Sequence, residues 1–204
     1  MAIPTELVGS LPRPMKLQEG YQKLDDGEIT WEDLQELQDE AAQDSIIDRS
    51  GVARQTLYRH FGSKRELVLA FLAHRDQLWT RDFVQAGIEH RAAEPADQLL
   101  AIFDVFDEWF RKSDFEGCSF INVLLEHPDP SDPIHVAAVS SLTGIRAMVE
   151  GLARQAGASD PENLARQWHI LMKGSIVAAG EGDRDAAKRA REVGRLVLRH
   201  HGAL

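Results

Sequence analysis

Arg54, Gln55, Thr56, Tyr58, His60 and Lys64 crowd the short stretch from residue 54 to residue 64. Arg and Gln can hydrogen-bond base edges, a Thr hydroxyl can do the same or its methyl can meet a thymine, and Tyr, His and Lys commonly hold phosphate oxygens. Together they have the chemistry needed to read a DNA groove. Leu57 and Phe61, four residues apart, give a helix over about Ala53 to Phe61 one apolar face and leave the polar set on its remaining surface. Gly51 can take the positive φ that ends a preceding helix, and Val52 and Ala53 are small enough for two helices to approach there. The spacing predicts a helix-turn-helix corner. Gly62 breaks the short helix, and Ser63 with Glu66 is a capping-box start for the next. Lys64 and Arg65 fall in that helix's first turn, where its dipole disfavours cations and a nearby phosphate would account for them.

Residues 49–75 carry six basic side chains against Glu66 alone, a net of +5, in a chain of 204 residues whose net charge is −10. Residues 1–48 are net −9 and residues 76–204 net −6. A basic island in an acidic chain fits local phosphate contact better than general adhesion to polyanions. A solvated helical hairpin with incidental arginines is the plainer alternative for the same residues.

The run Gly51-Val-Ala-Arg-Gln-Thr-Leu-Tyr-Arg-His-Phe-Gly-Ser-Lys-Arg-Glu-Leu67 resembles the recognition-helix signature and the start of the fourth helix of the tetracycline-repressor family of bacterial transcriptional regulators. The resemblance implies that Gln55, Thr56 and Tyr58 contact bases or the adjacent backbone, that Arg54, Tyr58, His60 and Lys64 contact phosphates, and that Leu57 and Phe61 belong to the core. It also implies a small-molecule inducer bound in the C-terminal part, whose identity does not carry over, and dimerisation through the last two helices as a four-helix bundle. Such dimers place one reading helix per subunit in successive major grooves, so the operator should be a near-palindrome.

Beyond residue 63 the periodicity is helical almost throughout. It predicts one long helix over Lys64–Glu89 with Leu67, Phe71, Leu78 and Phe83 on its apolar side, then helices over Pro95–Arg111, Cys118–Glu126, Ile134–Gly157, Pro161–Gly180 and Asp183–His200. In the last two, Leu164, Trp168, Leu171, Ile176, Ala187, Val193, Leu196 and Val197 offer apolar faces for a partner. Trp79, Phe83, Phe103, Phe106, Phe110, Phe120, Trp168 and Met172 supply bulk that can line a ligand cavity, although packing is the default role of any one of them.

Hydrophobic content of 43% allows a sizeable core in one or two domains. The single cysteine, Cys118, excludes an intramolecular disulfide framework, fits a reducing compartment and reads as a small buried apolar residue. No apolar run approaches a membrane span, and Met1-Ala-Ile-Pro-Thr-Glu lacks the pattern of a signal peptide, so a cytoplasmic protein is expected. His127, Asp129, Asp132 and His135 around a proline-rich loop repeat no metal-ligand spacing, and His200-His201 reads as a frayed end.

The first 44 residues differ in kind. Ile3-Pro-Thr-Glu-Leu-Val-Gly-Ser-Leu-Pro-Arg-Pro14, with Tyr21, Gly27-Glu-Ile29 and Leu37-Gln-Asp-Glu-Ala41, resembles the start of cobalamin-independent methionine synthase-like proteins, so the chain reads as a fusion near residue 44. That family's barrel and its Cys and His zinc set have no room here, and no enzyme is expected. Thr30 and Asp33 begin a helix over Ile29–Asp44, with Trp31, Leu34, Leu37 and Ala41 on one stripe, which can stand in for a missing first helix. Its acidic residues would oppose phosphates.

The chain is therefore expected to be all-α: a methionine synthase-like segment at 1–44, a helix-turn-helix DNA-binding region at 45–75, and a ligand-binding and dimerisation domain at 76–204. The expected function is a ligand-responsive transcriptional repressor whose partners are a duplex DNA operator, a small-molecule inducer and a second copy through residues 161–200, with no cofactor, metal or membrane. The alternative is a repressor-like dimer that has lost DNA binding because its first helix is replaced.

Overall fold

In the computed structural model the described residues are 14–204, and at positions 43, 46, 48–50, 54 and 81 only the backbone is described. All regular structure among them is helical. The chain divides into two units, residues 1–67 and 68–204.

In the first unit, α1 (Met15–Asp25) starts after Pro14 without a side-chain cap, so packing must hold it. Gly20 makes this possible: a Cβ there would stand 2.5 Å from Leu37 Cδ1, so the missing side chain lets α1 close on α2 (Trp31–Ser50). Leu34 is fully buried, Gln38 Nε2 donates to Tyr21 Oη at 2.8 Å, and Lys16 pairs with Glu40. The sequence pattern did not anticipate α1. The motif from Ile3 lies outside the described residues except for Pro14.

The start of α2 matches its expectation. Asp33 N–H donates to Thr30 Oγ1 at 3.2 Å, and Thr30 N–H donates to Asp33 Oδ2 at 2.8 Å, which together with the Thr30 hydroxyl holds the Asp33 carboxyl below its usual range. The helix runs unbroken past residue 44 to Ser50. Trp31, expected on the packing stripe, is instead exposed in the first turn.

A continuous helical run follows: α4 (Lys64–Arg75), a π-helical segment (Asp76–Gln85) and α5 (Ala86–Arg91). The expected single helix over Lys64–Glu89 is thus not uniformly α. Trp79, Val84 and Ile88 are buried, whereas Phe71 and Leu78, read as core-facing, are exposed. In an α-helix the five residues from Trp79 to Val84 advance about 500°, leaving the two about 140° apart. The i→i+5 bonding of a π-helix brings them to one side.

The core of the second unit surrounds α6 (Pro95–Phe110), which begins with proline at its first turn and is buried nearly all round. Against it pack α5, α8 (Pro133–Gln155) and α10 (Ala186–His200), while α9 (Pro161–Gly180) lies between α8 and α10, and α7 (Ser119–Glu126) packs on α8. Phe103 and Trp168 meet with ring centroids 5.3 Å apart, and Trp79 and Trp109 at 4.9 Å. The buried indole N–H groups of Trp79 and Trp168 have no hydrogen-bond partner, each a cost of about 1–3 kcal/mol.

Packing decides three further points. By length and apolarity alone α8 could cross a membrane. Its buried residues Ile134, Ala138, Leu142, Ile145, Val149 and Ala153 recur every three or four positions, the stripe of a core helix. His201 is not frayed: it is 4% exposed, its Nε2 lies 3.2 Å from Gln167 Oε1, and its carbonyl accepts from Ser159 N–H at 2.9 Å. Trp168 cannot face a partner, being 0% exposed beneath α10, and Leu164, Ile176 and Ala187 are buried with it.

Candidate nucleic-acid interface and ligand site

The corner is built by two glycines. Gly51, at φ 65°, ends α2 in the left-handed region and donates its N–H to Ile47 O at 3.0 Å, which turns the chain into α3 (Arg54–His60). Gly62 follows α3, and its N–H donates to Glu66 Oε2 at 2.8 Å while Glu66 N–H donates to Ser63 Oγ at 3.2 Å. The expected Ser63 and Glu66 box is therefore present in a shifted form, with the carboxylate reaching one residue further back. A Cβ on residue 62 would crowd that carboxylate at 3.3 Å.

Leu57 is buried, and Gln55, Tyr58, Arg59 and His60 are exposed with Thr56 half-buried between them. His60 lies beside Phe61, ring centroids 6.5 Å apart. The side chain of Arg54 lies outside the described residues. Lys64 Nζ donates to Asp39 Oδ1 of α2 at 2.9 Å, a partner that the sequence pattern did not single out. Both groups are partly exposed, and such pairs are worth at most about 1 kcal/mol. The pair is therefore weak enough for Lys64 to exchange partners.

The residues read as a ligand lining are divided by the structure. Trp79, Phe106 and Met172 border an interior void of about 10 Å³, the room of a single water. Phe103, Phe120 and Trp168 are closed core, Phe83 and Phe110 pack on its edge, and Lys112 Nζ stands 4.6 Å above the Phe83 ring. The void also takes in Cys118, Ile121, His169 and Lys173, none of which the sequence pattern marked as ligand contacts. His169, Met172, Lys173 and Ile176 form one α9 stripe at spacings of three and four, a signal that was legible but overshadowed by the aromatics. Burial pushes the His169 pKa down to about 4, helped by Lys173 and Arg146, so its ring is neutral at pH 7. Burial likewise raises the Cys118 thiol.

The proline-loop residues serve the chain itself. Asp132 caps α8 by accepting from Ile134 N–H at 2.8 Å, His127 Nδ1 lies 2.8 Å from Asp132 Oδ2, and His135 Nδ1 lies 2.6 Å from His127 O.

Two helices meeting at a glycine corner, with an exposed polar second helix, define a helix-turn-helix protein. Residues 40–71 match the tetR family of bacterial regulatory proteins, and residues 95–193 match a tetracyclin repressor-like C-terminal domain. SCO4454, a TetR-family transcriptional regulator from Streptomyces coelicolor, has the same fold at a TM-score of 0.71 and is 30% identical, with 78% of each chain covered. A TetR-type regulator from Streptomyces avermitilis matches in fold, at a TM-score of 0.66 and 23% identity over 95% of this chain and 99% of that one. The HTH-type transcriptional regulator YjdC of Escherichia coli K12 is 26% identical over 168 residues, 72% of this chain and 86% of YjdC. The chain belongs to the TetR family of transcriptional regulators.

Proposed function

We propose that this chain is a ligand-responsive repressor that binds a near-palindromic operator as a homodimer in the cytoplasm and has no catalytic role. The observation that carries DNA binding is the exposed face of α3, with Gln55, Tyr58 and His60 outward, Leu57 inward and a glycine turn at each end. At seven residues, about 10 Å long, α3 suits a major groove about 12 Å wide. The packing of α1 on α2 favours this over a regulator-like dimer without DNA binding: the N-terminal segment supplies a helix that buttresses α2, the helix that ends at the corner. The site assignments to Arg54, Gln55, Thr56, Tyr58, His60 and Lys64 and the boundaries at 44 and 75 belong to the same proposal.

The dimer reading draws on exposed apolar side chains of the last two helices. Ile170 and Val177 on α9, and Val193 and Leu196 on α10, are exposed, with Ile170 and Leu196 at 69% and 62%. They replace the buried Trp168, Leu164, Ile176 and Ala187 as the partner face.

The test is fluorescence anisotropy with the DNA flanking the chain's own gene. Tyr58→Ala and Lys64→Ala should each weaken binding without unfolding the protein, and Lys64→Ala should lower the salt slope by about one unit for each phosphate that the lysine no longer neutralises. Asp39→Asn, which frees Lys64, should tighten binding by no more than about tenfold. Identical affinity and salt dependence in all three variants would contradict the assignment.

A further inference from the structure

Cys118, Ile121 and Ile176 border the interior void on one side and an open cleft of about 520 Å³ on the other. The cleft has the volume of a small-molecule site, whereas the void has not. Those three side chains line both. Beyond them lie Lys173, the neutral ring of His169 and the buried Trp79, whose indole N–H has no acceptor. The remaining lining of the void is apolar, and no carboxylate is among the residues that line it. Arg146 stands close enough to His169 to act on its charge, and Arg75 close enough to act on the Cys118 thiol. Glu116 is at the outer cleft.

We propose that the cleft and the void form one ligand site, opened when Cys118, Ile121 and Ile176 part, and that it takes an organic monocarboxylate with an apolar body. The apolar body lies along Ile121 and Ile176, and the carboxylate accepts from Lys173 and from the Trp79 N–H. A cation is disfavoured, because it would enter beside Lys173 with no carboxylate within the void to receive it. A neutral apolar compound would leave the buried indole donor without an acceptor. Two features tie occupancy to the rest of the molecule. Trp79 is part of the π-helical segment that continues α4, and Val177, at the cleft, is also part of the proposed partner face. This inference rests on the regulator reading for its role and deepens it by naming the inducer's class.

The experiment is titration calorimetry on the full-length protein with 4-phenylbutyrate, 4-phenylbutanol and 4-phenylbutylamine, which share a body and differ in the head. The carboxylate should bind at least tenfold tighter than the alcohol, and the amine weakest of the three. Lys173→Met should abolish the preference for the acid, and Lys173→Arg should keep it at an unchanged melting temperature. Equal affinity for acid and alcohol, a preference that survives Lys173→Met, or no binding by any of the three overturns the proposal. Operator binding by the unliganded protein, measured in parallel, bears on the regulator reading alone. Loss of the acid preference with DNA binding intact therefore sinks only this inference.

Discussion

His169 is 4% exposed and neutral at pH 7, and its protonation is linked to folding. Its folded pKa of about 4 lies below the ordinary histidine value of 6.5, so as pH falls the unfolded chain takes up a proton first. The contribution of neutral His169 is present above pH 6.5 and is lost as pH falls towards 4. Between pH 7 and pH 5 the native state should lose about 2 kcal/mol on this account. Urea denaturation of wild type and His169→Gln at the two pH values measures it, the variant losing about 2 kcal/mol less; parallel pH dependences would show that the ring is not held neutral. The same residue scale explains the corner. Gln55, Tyr58 and His60 are exposed because Leu57 turns the packing face of this short helix inward, and among its described side chains Leu57 alone is buried.

Among the elements, α10 depends on a close approach at Gly194. A Cβ there would stand 2.8 Å from Trp168 and 3.3 Å from Phe103, both rings fully or almost fully buried and unable to retreat. Overpacking costs about 1–3 kcal/mol, more than the gain of up to about 1 kcal/mol from alanine in a helix. Gly194→Ala should therefore lower the calorimetric melting temperature by several degrees. Gly144, in α8, has open space around its missing side chain, and Gly144→Ala should leave stability unchanged or raise it. A rise in both would show that α10 has room to move off Trp168. Likewise α1 depends on Gly20, whose absent side chain lets it reach Leu34 and Leu37.

For the whole molecule, the proposed partner face of exposed Ile170, Val177, Val193 and Leu196 would be covered by a second copy. Analytical ultracentrifugation at micromolar concentration should find a species of twice the chain mass. Leu196→Glu should dissociate it into folded monomers. Trp168→Glu, by contrast, should unfold the second unit, because it sets a charge against Phe103 and Gly194 in the core. A monomeric wild type, or a dimer unchanged by Leu196→Glu, would remove the interface. Charge also acts at this scale: the net −9 of residues 1–48 adjoins the net +5 of residues 49–75, so operator affinity should be strongly salt-dependent.

Features legible in the sequence are local ones. The caps at Thr30 and Ser63, the left-handed turn at Gly51, the apolar face of Leu57 and the basic island all follow from interactions within a few residues, which spacing alone reveals. The all-helical class and the regulator family were legible for the same reason, since period and motif are properties of short windows. Other features needed the folded chain, because they depend on partners far apart along it. Trp168 lies in the core because Gly194 lets α10 close over it, Lys64 meets Asp39 of α2 although the whole of α3 lies between them in the chain, and α1 exists because a glycine lets a capless helix touch Leu37. Val84 joins Trp79 on one side because the segment winds as a π-helix, a shift of register that an α-helical period cannot express. The void beside Lys173 and His169 arises where α6, α7, α8, α9 and the π-segment fail to fill space completely, and packing over such distances is written in no single stretch of the chain.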